Sequence, residues 1–142
     1  MKISKIVVLL LIAFVLTSFK SSNYSKRNGI TFFKGSWSEA LQAAKAENKY
    51  IFLDVYATWC GPCKELKNKT FKDGEVGEYY NKNFINVRID GEKEEGRHLA
   101  RKYQVTSYPT LFIIDHKGNR VAKTTGFMKP RILINFGRRV VP

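Results

Sequence analysis

Hydrophobic and polar positions alternate along this chain with two different periods. Ser36 and Glu39 form S-x-x-E, a capping box in which each side chain can satisfy the other's free backbone N–H. Trp37, Ala40, Leu41 and Ala44 then fall near one face at helical spacing. YIFLDVYA, residues 50–57, is almost continuously apolar and rich in β formers, the pattern of a strand buried on both faces. A helix is predicted from about Cys60 through Phe71, a second short one over 74–82, and another buried strand over FINVRID, 84–90. EKEEGRHLARKY, 92–103, places acids first and bases last, the order a helix dipole favours. TLFIID (110–115), the turn HKGN and the alternating RVAKTT (120–125) read as a hairpin. Ile132, Leu133 and Phe136 give the stretch 129–139 one apolar helical face. The order is β-α-β-α-β-β-α with an extra helix in front. It predicts an α/β fold, a central mixed β-sheet flanked by helices on both faces.

The first residues follow a different pattern. Lys2 and Lys5 precede an unbroken apolar run, IVVLLLIAFVL, of signal-peptide length and short of the roughly 20 residues of a membrane span. Residues 1–22 are read as a signal peptide. An uncleaved N-terminal membrane anchor is the alternative, because Ser18, Ser21 and Ser22 are small but form no A-x-A pattern. No cysteine follows the run, which argues against a lipoprotein anchor. Residues 23–35 read as a polar linker, with ITFF as a short edge strand within it. Residues 36–142 remain, enough for one domain with a real core. The expected location is outside the cytoplasm, most simply a bacterial periplasm, with inner-membrane attachment if the leader stays on.

Charge adds one feature. Lys and Arg total 25 against 12 Asp and Glu, and from Arg97 onward ten basic residues accompany a single acid, Asp115. Such a flank can steer acidic proteins or approach anionic lipid, or be no more than a solvated surface. An exported chain without a nucleic-acid motif is not expected to bind nucleic acid.

The chain's two cysteines both lie in ATWCGPC, 57–63. A zinc site needs about four ligands, and His98 and His116 lack finger spacing, so no metal is expected. A permanent structural disulfide gains most by closing a long loop, and this one would close a very short loop. A redox pair fits the location. Cys60 ends a buried strand at the start of a helix, where free N–H groups and the positive end of the dipole favour a thiolate. Pro62 sits in the first turn, where its missing N–H costs nothing. Cys63 lies about one turn further along, so Cys60 is expected to attack and Cys63 to resolve. Asp54, a lone acid within IFLDVY, is costly to bury ionised, and its pKa should rise.

DVYATWCGPCK (54–64) and YQVTSYPT (103–110) resemble the two signatures of the thioredoxin family, and Gly118 and Gly126 fall where that family keeps glycines. The similarity covers about residues 36–138. It implies a thioredoxin fold and a thiol–disulfide oxidoreductase without a cofactor, acting on disulfide-containing proteins and re-reduced by a protein donor. It also implies that Asp54 exchanges protons with Cys63. Trp59 would cover the disulfide and contact partners, Gly61 and Pro62 would tune the potential, and Pro109 would be cis. The backbone at Tyr108 would pair with extended substrate. Three departures stand out: Asn68 replaces a helix proline of cytosolic members, Asn86 aligns with a lysine that neighbours the buried acid, and Tyr56 replaces a tryptophan. KTFKDGEV and SWSEALQAAKAENK are more similar to exported members. They resemble the C-terminal domain of a membrane electron transporter that reduces periplasmic proteins, which makes such a transporter the implied donor. A monomeric reductase of exported proteins is the expectation. A dedicated cytochrome c maturation factor and a non-catalytic docking module are the alternatives.

Overall fold

The computed structural model describes residues 28–142; the leader reading lies outside the described residues. Ser36 caps the first helix, α1 (Trp37–Ala46), and both halves of the Ser36/Glu39 capping box form. β1 (Tyr50–Tyr56) leads through the cysteine turn into α2 (Gly61–Asn68). A 3-10 turn (Thr70–Lys72), α3 (Gly74–Asn83) and β2 (Phe84–Asp90) follow. The chain ends with α4 (Glu94–Lys102), β3 (Thr110–Ile114), β4 (Arg120–Thr125) and α5 (Pro130–Arg138). The strands lie in the order β2-β1-β3-β4. β1 runs parallel to β2 and antiparallel to β3, and β3 runs antiparallel to β4, so the sheet is mixed.

The period of two sorts β1 between the two layers. Ile51, Leu53 and Val55 pack with Trp37, Ala40 and Ala44 of α1 and Leu99 of α4. Phe52 packs on the other face with Leu66 of α2, Val76 and Tyr80 of α3, and Leu133 and Phe136 of α5. Asp54, two residues from Phe52, therefore belongs to the α2–α3–α5 face. Tyr80 anchors that layer: it is fully buried and its hydroxyl donates to the Leu133 carbonyl at 2.7 Å. In the hairpin, Gly118 takes φ +83°, a conformation side chains rarely adopt, while the Asp115 carboxylate accepts from the N–H groups of Lys117 and Asn119.

Two details differ from the sequence expectation. The helix after the cysteines ends at Asn68 rather than running to Phe71. Thr70 is buried and its hydroxyl donates to the Met128 carbonyl, and Phe71 turns into the core against Phe52, so the tertiary contacts break the helix without a proline. Residues 28–35 form no strand, yet they are held against the fold. Ile30 N–H donates to the Phe71 carbonyl and Phe33 N–H to the Asn86 carbonyl, each at 2.7 Å. Asn81 secures the segment from both sides, accepting from Thr31 N–H and donating to the Gly29 carbonyl. Gly77 of α3 lies under this segment, so close that a β-carbon there would strike the Asn28 carbonyl oxygen and Gly29. Gly77→Ala is therefore expected to lift residues 28–30 from α3 and to cost about 1–3 kcal/mol. Urea unfolding gives the loss, and faster amide exchange confined first to residues 29–33 locates it.

Candidate active site

β1 delivers Asp54 and Tyr56 to the end of the sheet where α2 begins. Cys60 is the N-cap of α2, with extended φ −72° and ψ 115°, and Pro62 falls in the first turn. This geometry brings Cys63 one turn below, with Cα atoms 5.3 Å apart, and the two cysteines form a disulfide. The Cys63 N–H also points at Cys60 Sγ, 3.2 Å away. On reduction that N–H and the helix terminus are aimed at the Cys60 sulfur, where they favour the thiolate. Both cysteines are buried in a small cluster with Ala57, and Tyr56 and Tyr108 pack beside it. Gly61 is exposed, and a β-carbon there would meet nothing within 4 Å, so the space above the disulfide is open.

The Tyr108–Pro109 peptide bond is cis, and Pro109 is buried. The Tyr108 ring packs over Gly91, where a β-carbon would lie 2.7 Å from it, and meets the Trp59 ring edge-on at 6.0 Å. Trp59 is 65 % exposed, more than Ile132 or Val121, and its indole N–H donates to Glu92 Oε2 at 3.0 Å. The carboxylate and the tyrosine hold the exposed indole in one orientation.

Asp54 is fully buried beneath this surface. One oxygen, Oδ2, accepts from Arg88 Nε at 2.7 Å; the other, Oδ1, has no partner. Burial pushes the carboxyl up to about 6, and Arg88 pulls the other way. The Arg88 guanidinium also stacks 3.8 Å above the Tyr56 ring. Its side chain and Cys63 share the wall of a cavity of about 240 Å³.

These features can be set beside known proteins. A family model described as a thioredoxin-like domain matches residues 37–140. The chain belongs to the thioredoxin-like family. Thiol:disulfide interchange protein DsbD of Yersinia pestis is 37 % identical over 93 residues, 62 % of this chain and 16 % of that protein. The DsbD of Vibrio vulnificus (strain CMCP6) is 32 % identical over 128 residues, 84 % of this chain and 21 % of its own length. This thioredoxin-like protein thus spans about a fifth or less of the curated relatives it matches. A candidate disulphide-isomerase of Bacteroides thetaiotaomicron has a solution structure that superposes with a TM-score of 0.69 at 41 % identity, covering 78 % of this chain and 92 % of that one. The reduced C-terminal domain of Neisseria meningitidis DsbD gives 0.60 at 28 % identity, over 71 % and 90 %. A Cys60–Cys63 disulfide in this fold is an arrangement able to undergo thiol–disulfide exchange.

The structure gathers Asp54, Trp59, Cys60, Gly61, Pro62, Cys63, Tyr108 and Pro109 at one end of the sheet, on three separate segments. It also explains two of the three departures. Asn86 stands opposite Phe52, not Asp54, and its amide donates to Thr31 O and Asn81 Oδ1, so it braces the N-terminal segment. The cation for the buried acid comes from Arg88, the register partner of Asp54 on β2. Tyr56, in place of the tryptophan, provides the ring on which that guanidinium rests. Sequence reasoning missed Arg88. The signal was available: the cation inside the strand FINVRID is costly to bury, like the acid inside IFLDVY, and two such opposite charges on adjacent strands should pair.

Proposed function

We propose that this thioredoxin-like protein reduces disulfides of proteins outside the cytoplasm, cycling Cys60 and Cys63 between dithiol and disulfide. Cys60 thiolate attacks a substrate S–S bond; one substrate sulfur leaves as thiolate and takes a proton, and the other stays joined to Cys60. The Asp54 carboxylate then accepts the Cys63 proton. The Cys63 thiolate attacks Cys60 Sγ, the mixed disulfide breaks, and the second substrate sulfur leaves as thiolate and takes a proton in its turn, while Asp54 gives up the Cys63 proton. Two electrons and two protons have passed to the substrate, and Cys60–Cys63 is oxidised. A dithiol protein must restore it, and a DsbD-like membrane transporter suits that role. The relatives named DsbD and the apolar leader favour export; among the described residues no helix is long and apolar enough to cross a membrane.

The observation that carries this reading is the Cys60 sulfur at the α2 N-cap, with a buried, destabilised carboxyl on the preceding strand. Direction follows from the Gly61-Pro62 dipeptide, which resembles reducing members with potentials near about −270 mV rather than oxidising ones near about −120 mV. Equilibration of residues 23–142 with glutathione buffers is expected to give a value toward the reducing end. A potential at the oxidising end would reverse the direction. Cys63→Ser is expected to hold substrates as mixed disulfides with Cys60. Capture of several exported proteins supports a general reductase, capture of one supports a dedicated maturation factor, and capture of none supports a docking module.

A further inference from the structure

The cavity beside Cys63 is lined by Tyr56, Thr58, Lys64, Lys67 and Arg88, and no acidic side chain lines it. Lys64 and Lys67 lie one turn apart on the same side of α2, both exposed. Neither is in an ion pair among the described residues, whereas Lys69, the C-cap of the helix, is paired with Glu65, the only acid that α2 contains. Arg88 commits Nε to Asp54 from below. Three cations therefore face a concave space that opens on the resolving sulfur, and two of them have no counter-charge among the described residues. The Trp59 side of the disulfide differs in sign, with Glu92 bonded to the indole and Asp90 close by.

We propose that this cavity is a specificity site for a carboxylate, an Asp or Glu side chain carried next to the disulfide of the protein substrate. The proposal rests on the exchange chemistry of Cys60 and Cys63. Substrate held there would place its acid against Lys64 and Lys67 while its sulfur meets Cys60. Because the lysines are exposed, the effect is one of selection and rate rather than tight binding.

The test uses the reduced protein and single-turnover oxidation, followed by Trp59 fluorescence. The probes are disulfide-linked dimers of one short peptide, with Glu or with Gln on both sides of its cysteine. The Glu dimer is expected to react about fivefold faster at low salt, with the preference shrinking as ionic strength rises. Lys64→Gln/Lys67→Gln is expected to abolish the ratio, while Lys45→Gln/Lys117→Gln, which removes the same charge from distant exposed positions, is expected to keep it. A ratio near one in the unaltered protein, or equal losses in the two double variants, would overturn the site. Faster reaction with glutathione disulfide but no preference for the Glu peptide would overturn the protein source in favour of a small acidic thiol. No exchange with either dimer would remove the exchange chemistry itself, an outcome distinct from exchange that ignores charge.

Discussion

Asp54→Asn is expected to make the protein more stable and less active. Burial holds the Asp54 carboxyl near about 6, above its ordinary 3.8. The folded state thus binds this proton more tightly than the unfolded state does. The group's contribution to stability is complete below about pH 4 and is lost as pH rises through about 6. At pH 8 the folded protein carries a buried anion with one unpartnered oxygen. A shift of about two units corresponds to a loss of about 3 kcal/mol, and removing the charge should recover about 1–2 kcal/mol once the Arg88 bond is discounted. Urea midpoints of the oxidised protein should be higher for Asp54→Asn at pH 8 and equal to the parent's at pH 4. On the mechanism proposed above, the same variant has no base for the Cys63 proton. Resolution of a preformed mixed disulfide at pH 7 is expected to slow about 100-fold, the lower end of what a positioned general base contributes. Equal resolution rates would show that solvent deprotonates Cys63 unaided, and a lower urea midpoint at pH 8 would show that Asp54 stabilises the fold.

Most of this site could be read from the chain because its parts are local. A capping box, a cysteine at a strand-to-helix corner and a glycine in a tight turn act through neighbours within a few residues. Strand ends at β2 and β4 agreed with the structure to the residue, since polar turn residues bound both strands. Long-range contacts were harder to read. The helix stop at Asn68 depends on Thr70 reaching Met128, 58 residues away, and the anchoring of residues 28–33 depends on Asn81 and Gly77. Arg88 was missed for the same reason. Its role comes from the register of β2 against β1, and shifting that register by one would have brought Val87 opposite Asp54.

That register also makes Arg88 the residue whose loss should most change how the site responds to pH. Its Nε donates to the only Asp54 oxygen that has a partner, and its guanidinium is fixed by the Tyr56 ring, with 14 % of the side chain exposed. A cation there favours the carboxylate, the form that can accept the Cys63 proton. In the parent, resolution of the mixed disulfide should rise with pH and level off above about 6, where Asp54 ionises. Arg88→Leu removes the opposing pull and leaves burial alone, so the midpoint must move upward. A shift of one to two units would make resolution about 5- to 50-fold slower at pH 6 and nearly normal at pH 9. Arg88→Lys keeps a charge but not the planar fork or its stacking, and should recover only part of the shift. A merely structural Arg88 would instead lower the rate by the same factor at every pH. Quenched-flow measurement of resolution from pH 5 to 9 separates the two, and Asp54→Asn/Arg88→Leu, in which the carboxyl is gone, should lose the midpoint at about 6 and keep only the rise from the Cys63 thiol itself at higher pH.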